Sequence, residues 1–256
     1  MRIISYNTNG IRAAIKKGFL DWLATNPADV ICVQETKALQ SDVDVSEFEK
    51  LGYTSHWFSA QKKGYSGVAI FTKRKPDAVI EGNGFVQSDF EGRVIRADFG
   101  ELTILNCYFP SGTSGDERQT YKYQWLKEIQ QFVDELKKTR KQIILCGDYN
   151  IAHQPIDIHD PKGNKNTSGF LPEERNWLTE FFETGFIDTY RFKNPETVGG
   201  YSWWSQRFPS VRLQNKGWRI DYICVTTSLE ESIKSATILP DIKHSDHCPI
   251  YVELDL

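Results

Sequence analysis

Seven short apolar runs recur along the sequence, and several of them are apolar at consecutive rather than alternate positions. A strand with one face in water alternates apolar and polar residues, whereas consecutive apolar residues need cover on both faces of the sheet. The pattern therefore predicts sheets that are enclosed between other layers of the fold. The runs cover residues 3–4, 30–33, 68–71, 102–105, 143–146, 222–225 and 250–252.

Helical segments alternate with these runs. The first predicted helix follows Gly10, the second covers about residues 117–138, and the third begins at Pro172 and ends before Gly185. Their apolar side chains recur at helical spacing, which is typical of helices that pack on a sheet. No linker or repeat divides the chain, so we expect residues 1–256 to form one domain. The predicted fold is a four-layered α/β sandwich, with two packed mixed β-sheets flanked by helices.

Composition limits the classes of protein to which this sequence can belong. A length of 256 residues with 39% apolar residues suits a soluble globular protein. No apolar run approaches the roughly 18 residues of a membrane span, and the N-terminal sequence lacks a signal-peptide pattern. The five cysteines include no CxxC pair and lie in or beside apolar runs, which favours buried reduced thiols. We therefore expect a cytoplasmic protein.

The net charge of −3 gives no overall attraction to nucleic acid. Binding to DNA would need a local basic face, and each basic cluster is equally compatible with an ordinary solvated surface. The clusters are Lys16 with Lys17, Lys62 with Lys63, residues 73–75, and Lys162 with Lys165.

Polar motifs stand at the ends of the apolar runs, where an α/β fold gathers its chemistry. Together they supply carboxylates, amides, a phenol and an imidazole, which are the groups needed for metal-assisted hydrolysis of a phosphate ester. The motifs cover residues 5–10, 34–37, 106–110, 146–150, 218–222 and 245–249.

Two of these motifs offer carboxylates. Glu35 follows a buried run and is a candidate ligand for Mg²⁺, which prefers oxygen ligands and keeps several waters. Asp148 and Asn150 follow another run, with Gly147 freeing the backbone to turn, and strand-like alternation would project both to the same side. Asp148 is then a candidate to orient or deprotonate the attacking water. An Asx-rich turn without a catalytic role is the alternative for this segment.

His247 stands just before the last apolar run, and a lone histidine is more often structural than catalytic. Asp221, on another strand-like segment, is a candidate partner for the ring N–H of His247. Such a pair would fix the tautomer and favour an imidazolium beside a phosphate. A serine hydrolase is disfavoured, because the sequence has no Gly-x-Ser-x-Gly motif.

In order and spacing, the combined motifs resemble the exonuclease III family of apurinic/apyrimidinic (AP) endonucleases, within the endonuclease/exonuclease/phosphatase superfamily. The resemblance runs from the first strand to the last and covers essentially the whole chain. Residues 156–165 and 169–175 resemble that family's DNA-binding loop and the helix after it. Sphingomyelinases and inositol-phosphate phosphatases of the same superfamily are not expected to carry this stretch. The resemblance therefore favours the DNA-repair branch, with residues 1–256 as a single catalytic domain.

The resemblance implies a metal site. Glu35 would be the principal ligand, with Asn7 and Asn9 near the metal. Some relatives have aspartate at the position of Asn9, where an amide offers one ligand oxygen but less charge. Asp246 would lie close to the metal or to the leaving group.

It also implies roles in the reaction itself. Asp148 and Asn150 would align the nucleophilic water. Tyr108 would contact the scissile phosphate, with an ionised, base-like role as a further proposal. His247, oriented by Asp221, would contact the phosphate and offset its growing charge.

Two further groups of residues would recognise DNA. Arg118, Lys162 and Asn164 resemble the family's DNA contacts, and Arg207 or Phe208 is a candidate wedge into the duplex. Residues 111–115 are small and polar, so no bulky intercalating side chain is expected from that loop. An abasic sugar swung out of the duplex needs a small apolar pocket that excludes normal nucleotides. By resemblance, the pocket would be formed by Phe170, Trp203, Trp218 and Ile220.

The sequence thus predicts a Mg²⁺-dependent hydrolase, with Mn²⁺ as the alternative ion, that cuts double-stranded DNA 5′ to an abasic site. A 3′→5′ exonuclease or 3′-phosphodiesterase activity on blocked 3′ ends is expected beside it. The protein is expected to act as a monomer on the nucleoid, without a membrane partner. Two alternatives stay open: a phosphoesterase for a small or lipid phosphate, and a non-catalytic binder of damaged DNA.

Overall fold

The computed structural model describes residues 1–206 and 210–256, and in these ranges it contains two six-stranded sheets. The strands are β1 (Arg2–Asn7), β2 (Val30–Gln34), β3 (Thr54–Phe58), β4 (Val68–Thr72), β5 (Ala78–Glu81), β6 (Val94–Phe99), β7 (Leu102–Tyr108), β8 (Gln142–Asp148), β9 (Phe186–Asp188), β10 (Asp221–Thr226), β11 (Ile233–Ile238) and β12 (Ile250–Leu254). The helices are α1 (Ile11–Lys16), α2 (Phe19–Thr25), α3 (Ser46–Lys50), α4 (Val86–Phe90), α5 (Asp116–Thr139), α6 (Pro172–Glu183), α7 (Thr189–Lys193) and α8 (Ser210–Leu213).

Both sheets are mixed. The first has the strand order β11-β12-β1-β2-β4-β3, and the second has the order β5-β6-β7-β8-β10-β9. Within the first sheet β1 runs parallel to β2, and within the second β7 runs parallel to β8. The other paired strands are antiparallel.

Neighbouring residues of one strand pack into different layers, which explains the consecutive apolar positions. Ile3 packs between the two sheets, whereas Ile4 packs on the outer face, with the buried side chains of α1 and α2. In the second sheet, Ile104 lies between the sheets and Leu105 packs with α5 and α6. The layers are therefore helix, sheet, sheet and helix, and the predicted four-layered sandwich is confirmed.

The predicted helix after Gly10 is wrong in one respect, because it is two helices. α1 ends at Lys16 and α2 begins at Phe19, and Gly18 between them has a left-handed φ of 94°. That conformation ends a helix and is readily adopted only by glycine. The two longer predicted helices are found as α5 and α6.

All five cysteines are buried and free, as the sequence predicted. Over residues 1–206 and 210–256, no helix has both the length and the apolar character required to cross a bilayer.

Candidate active site

The polar motifs meet at one rim of the sandwich because the strands before them end there. Asn7 is the last residue of β1, and Glu35 directly follows β2, its parallel neighbour. In the second sheet, Tyr108 and Asp148 end the parallel strands β7 and β8 as register partners. Asp221, the first residue of β10, pairs with Asp148 from the other side. The sheets stack so closely that Asn7 Nδ2 lies 2.8 Å from Asp148 Oδ2.

An amide–carboxylate network links these residues. The Nδ2 group of Asn7 donates to Asp148 Oδ2 and, at 3.0 Å, to Glu35 Oε1. The Nδ2 group of Asn150 also donates to Asp148 Oδ2, at 3.2 Å, and its backbone N–H donates to Asp148 Oδ1 at 2.8 Å. The structure therefore brings Asp148 and Asn150 together, in an Asx turn that also serves the site.

Gly147 is needed for close packing of two strands and not, as the sequence predicted, to free the backbone to turn. A Cβ atom at this position would lie 1.9 Å from the carbonyl oxygen of Cys107 on β7. The glycine therefore lets β7 and β8 approach each other, and the turn comes later, at Asn150. The backbone of Asn150 is left-handed, with φ 52°, as is that of Glu35, with φ 49°. Such conformations in residues other than glycine cluster at functional sites.

His247 lies between two carboxylates. Its Nδ1 atom is 2.9 Å from Asp221 Oδ2, and its Nε2 atom is 3.8 Å from Asp148 Oδ2. Burial alone would lower the pKa of His247, but the charges of Asp221 and Asp148 outweigh it and raise that pKa to about 10. The imidazole therefore carries a proton at neutral pH and donates one N–H to Asp221.

Sequence reasoning missed Ser202, which supports this pair. Its hydroxyl donates to Asp221 Oδ2 at 2.6 Å and accepts the backbone N–H groups of Ile220 and Asp221. Ser202 is fully buried, in the loop before α8.

Asp148 and Tyr108 hold their protons more tightly than usual. Burial, followed by the neighbouring charge of Asp221, raises the pKa of Asp148 to about 7. A carboxylate in this range can accept a proton from water near neutral pH. Burial and the charges of Glu35 and Asp148 raise the pKa of Tyr108 well above its ordinary value. The phenol is therefore a hydrogen-bond donor, and the ionised role proposed for it is disfavoured.

Candidate ligand atoms of Glu35, Asp148 and His247 all lie within 4.8 Å of one another. The carboxylates of Glu35 and Asp148 fit a divalent cation, whereas the protonated imidazole of His247 has no free ring nitrogen to offer it. Burial alone would raise the pKa of Glu35, but the ammonium group of Lys37 and a hydrogen bond from Asn7 lower it. Lys37 Nζ lies 2.8 Å from Glu35 Oε2 and also donates to Asn9 Oδ1. The ammonium group of Lys37 therefore lies between Glu35 and Asn9.

Asp246 lies to one side of this group. Its Oδ1 atom accepts from Asn9 Nδ2 at 3.0 Å and from the hydroxyl of Ser245 at 3.0 Å. Its Oδ2 atom accepts from the indole N–H of Trp203 at 3.1 Å. Asp246 therefore joins the candidate metal site to the aromatic residues beside it.

A cavity of about 260 Å³ opens directly onto the carboxylates and the imidazole. The polar part of its lining includes Glu35, Tyr108, Asp148, Asn150, Asp246 and His247, and another part, the pocket wall, includes Gly169, Trp203, Trp218 and Ile220. The indole rings of Trp203 and Trp218 are 6.0 Å apart and nearly perpendicular, at 88°. Apolar and ionisable side chains thus face the same small space.

Phe170 was expected in this wall, and the structure instead places it behind. Its side chain is 3% exposed and packs in a small cluster with Ile158 and Ile220. The guanidinium group of Arg175 covers its ring at 4.5 Å from the centroid. Phe170 therefore supports Ile220 from the interior.

The residues expected to contact DNA lie away from the cavity. Arg118 is held by Glu91, at 2.8 Å from Oε1, and donates to the hydroxyl of Tyr65. Asn164 donates to the backbone carbonyl of Asp160 at 2.9 Å, and Lys162 is exposed. These three residues keep their DNA role as a prediction. The wedge candidates Arg207 and Phe208 lie outside the described residues.

Comparison with known proteins shows the family of this chain. The sequence model of the endonuclease/exonuclease/phosphatase family matches residues 4–247. The chain belongs to this family. It is 44% identical to an exodeoxyribonuclease of Bacillus subtilis (strain 168), with full coverage of both chains. It is 40% identical to a DNA-(apurinic or apyrimidinic site) endonuclease of Dictyostelium discoideum, covering 100% of this chain and 71% of that one. The 3′ phosphatase NExo from Neisseria, solved with a product DNA hairpin, superposes with a TM-score of 0.92 at 27% identity, with full coverage of both chains.

The loop after β8, which by resemblance is expected to bind DNA, is anchored by a buried charge. Asp157 is fully buried, and its Oδ1 atom lies 2.7 Å from Arg219 Nε and 2.6 Å from a guanidinium nitrogen of Arg191. Asp157 therefore holds residues 156–165 to the body of the protein, and only the later part of that stretch is exposed. The pairing partners are far apart in sequence, so no local motif indicates them.

A second buried pair was also missed. Lys122 of α5 and Glu174 of α6 are both fully buried, with Nζ 2.7 Å from Oε1. Lys122 stands on the same face of its helix as the buried residues Trp125 and Leu126. A lysine within an apolar stripe is the sequence signal that could have revealed it.

Proposed function

We propose that this protein is a divalent-metal-dependent DNA-repair hydrolase that cuts the DNA backbone immediately 5′ to an abasic site. The observation that carries the proposal is the shared cavity. Trp203, Trp218 and Ile220 offer an apolar surface to a sugar without its base, and the carboxylate–imidazole group faces the same space.

The chemistry follows from the protonation states. Asp148, with a pKa of about 7 and held by the amide groups of Asn150 and Asn7, accepts a proton from the attacking water as the water oxygen bonds to phosphorus. The His247 imidazolium and the Tyr108 phenol donate to the phosphate oxygens and offset their growing charge. The bond from phosphorus to the 3′ oxygen breaks, and the 3′ oxygen takes a proton from solvent water, leaving a 3′-hydroxyl and a 5′-deoxyribose phosphate.

Glu35 is the proposed principal ligand of the metal, with Asn7, Asn9, Asp148 and Asp246 nearby. A bound Mg²⁺ or Mn²⁺ ion would supply Lewis-acid stabilisation of charge on the phosphate. Mg²⁺ is favoured because the nearest donors are mainly carboxylate and amide oxygens.

Further activities and the setting of the protein are also proposed. A 3′→5′ exonuclease or 3′-phosphodiesterase activity on blocked 3′ ends is supported by the similarity to the Bacillus subtilis exodeoxyribonuclease and to the 3′ phosphatase NExo. We expect residues 1–256 to work as a single catalytic domain and as a monomer, because one cavity holds all the required groups. Action on the nucleoid in the cytoplasm stays a prediction from sequence.

The deciding experiment is incision of a duplex that carries one tetrahydrofuran abasic analogue, beside an undamaged duplex of the same sequence. Incision of the lesion strand alone, with Mg²⁺ and not with EDTA, is expected. Asp148→Ala and His247→Ala should abolish turnover while the circular dichroism spectrum persists. Cutting of both duplexes would remove the abasic specificity. Binding without metal-dependent turnover would indicate a damage binder, and turnover of lipid or small phosphates alone would indicate the other phosphoesterase branch.

A further inference from the structure

The buried pair of Lys122 and Glu174 contacts two segments that line the cavity. Lys122 Nζ donates to the backbone carbonyl of Asn150 at 2.8 Å, and Asn150 in turn contacts Asp148. Glu174 Oε2 accepts the backbone N–H groups of Gly169 at 2.6 Å and Leu171 at 3.1 Å. One ion pair thus holds both the turn at Asn150 and the loop that brings Gly169 to the pocket wall.

The two segments are also pressed against each other. A Cβ atom at Gly169 would lie 3.0 Å from the Asn150 carbonyl oxygen and 3.0 Å from Trp218 Cζ3. The carbonyl of Gly169 accepts the backbone N–H of Ala152 at 2.7 Å. A small displacement of either segment therefore changes the distance between the pocket wall and the carboxylate of Asp148.

The pair is poorly explained as a device for stability alone. Desolvation of two buried charges offsets most of their attraction, and neutral replacements of similar volume are often as stable. The hydrogen bonds that the pair makes to backbone groups are more informative. Asn150 has a left-handed backbone with φ 52°, which is less favourable for a residue with a Cβ atom and has to be maintained by its surroundings.

The geometry points to Lys122 and Glu174 as positioning residues that set the distance between the catalytic turn at Asn150 and the pocket wall at Gly169. The inference rests on the proposed function, because it concerns the same cavity. Misplacement of reacting groups by about 1 Å can lower a rate on the order of 100-fold. Binding of DNA through its phosphates should depend much less on this distance. A loss in kcat with little change in KM is therefore expected.

The test compares Lys122→Met with the double variant Lys122→Met/Glu174→Gln. The single variant leaves Glu174 buried without its partner, so both the melting temperature and kcat should fall, kcat by about 10- to 100-fold. The double variant is neutral, and its glutamine oxygen can still accept from Gly169 and Leu171. Its melting temperature should recover, whereas kcat should stay low because the bond to the Asn150 carbonyl is still missing.

The matched control is Lys138→Met/Glu135→Gln on the same helix, an exposed pair with side chains 66% and 64% accessible. It should leave kcat and melting temperature unchanged. Recovery of both quantities in the double variant would overturn the inference, since the pair would then serve the fold alone. A wild-type kcat in Lys122→Met would overturn it as well.

Amide hydrogen exchange gives a readout that needs no substrate. Lys122→Met should accelerate exchange at Asn150, Gly169 and Leu171 at least about tenfold. The double variant should restore protection at Gly169 and Leu171 but not at Asn150, and uniform protection in both variants would contradict the inference. If the wild-type protein fails to cut abasic DNA, the proposed function fails. The exchange pattern still decides the positioning role.

Discussion

His247 and Asp221 form a direct pair, with Nδ1 of the imidazole 2.9 Å from Oδ2 of the carboxylate. The pair is buried, and the other ring nitrogen faces Asp148 at 3.8 Å. The negative charge of Asp221 therefore acts on both His247 and Asp148. Asp221 raises the pKa of His247 to about 10 and contributes, after burial, to the raised pKa of Asp148 at about 7.

Replacing Asp221 by asparagine should move the whole pH profile of incision to lower pH. Asp148 must be ionised to accept a proton, so losing the adjacent negative charge lets it act at lower pH. His247 must be protonated, so losing its partner ends activity at lower pH on the alkaline side. The maximal kcat should fall about 100-fold, within the range for impaired acid–base catalysis. The measurement is kcat against pH, and unchanged limits in Asp221→Asn would contradict this coupling.

The role of Glu35 as principal ligand predicts a change in metal dependence. Glu35→Gln keeps the shape and one oxygen but removes the charge, so half-maximal activity should need at least about tenfold more Mg²⁺. Mg²⁺ titration of the incision rate measures this, with Glu49→Gln, an exposed carboxylate, as control. An unaltered Mg²⁺ requirement would transfer the ligand role to Asp148 and Asp246.

The strands that sequence could predict are those whose two faces are buried, or that end in a polar motif. All seven predicted runs are strands, whereas β3, β5, β9 and β11 were missed. These four are the edges of the two sheets, where one side of the strand lacks a neighbour and the apolar pattern weakens. β6 was missed inside its sheet because Arg96 and Asp98 interrupt its apolar residues.

The residues of the candidate site also divide into those that the sequence could predict and those that it could not. Residues at strand ends, such as Glu35 and Asp148, could be predicted because the fold class gathers strand ends at one rim. The pairing of Asp221 with Asp148 depends on the antiparallel register of β8 and β10, which the motifs do not encode. Lys122 within an apolar stripe could have indicated a buried charge, but its pairing with Glu174 depends on how two helices pack, which the sequence pattern does not give.

The position of Trp218 in the cavity predicts that Trp218→Ala loses selectivity for abasic DNA over undamaged 3′ ends. This indole faces the cavity and stands nearly perpendicular to that of Trp203. Its removal should lower kcat/KM on abasic DNA about tenfold or more, equivalent to roughly 1.4 kcal/mol of lost apolar contact. Activity on undamaged 3′ ends should change less. The control is Trp22→Ala, which removes a partly buried indole from the helix layer that covers the first sheet. Equal losses on both substrates in Trp218→Ala would contradict a role in lesion recognition.

The buried charge of Asp157 predicts that the free energy of unfolding decreases at acidic pH. Burial alone would raise its pKa, but the guanidinium groups of Arg219 and Arg191 overcome this and lower it from 3.8 to about 2. A carboxyl with a lowered pKa stabilises the folded state above its unfolded pKa, and this contribution is lost as pH falls from about 4 toward 2.

Asp157→Asn removes the carboxylate shared by the partly exposed Arg191 and the fully buried Arg219, which keeps only Asp188, and should lower the free energy of unfolding at pH 7 by about 3 kcal/mol. The variant should also lose less stability than the wild type between pH 4 and pH 2. Urea unfolding at several pH values measures both effects, with the exposed Asp134→Asn as control. Equal stability of wild type and Asp157→Asn at pH 7 would mean that the loop is held by other contacts. Because this loop leads to Lys162 and Asn164, its loosening should also weaken DNA binding more than it lowers kcat.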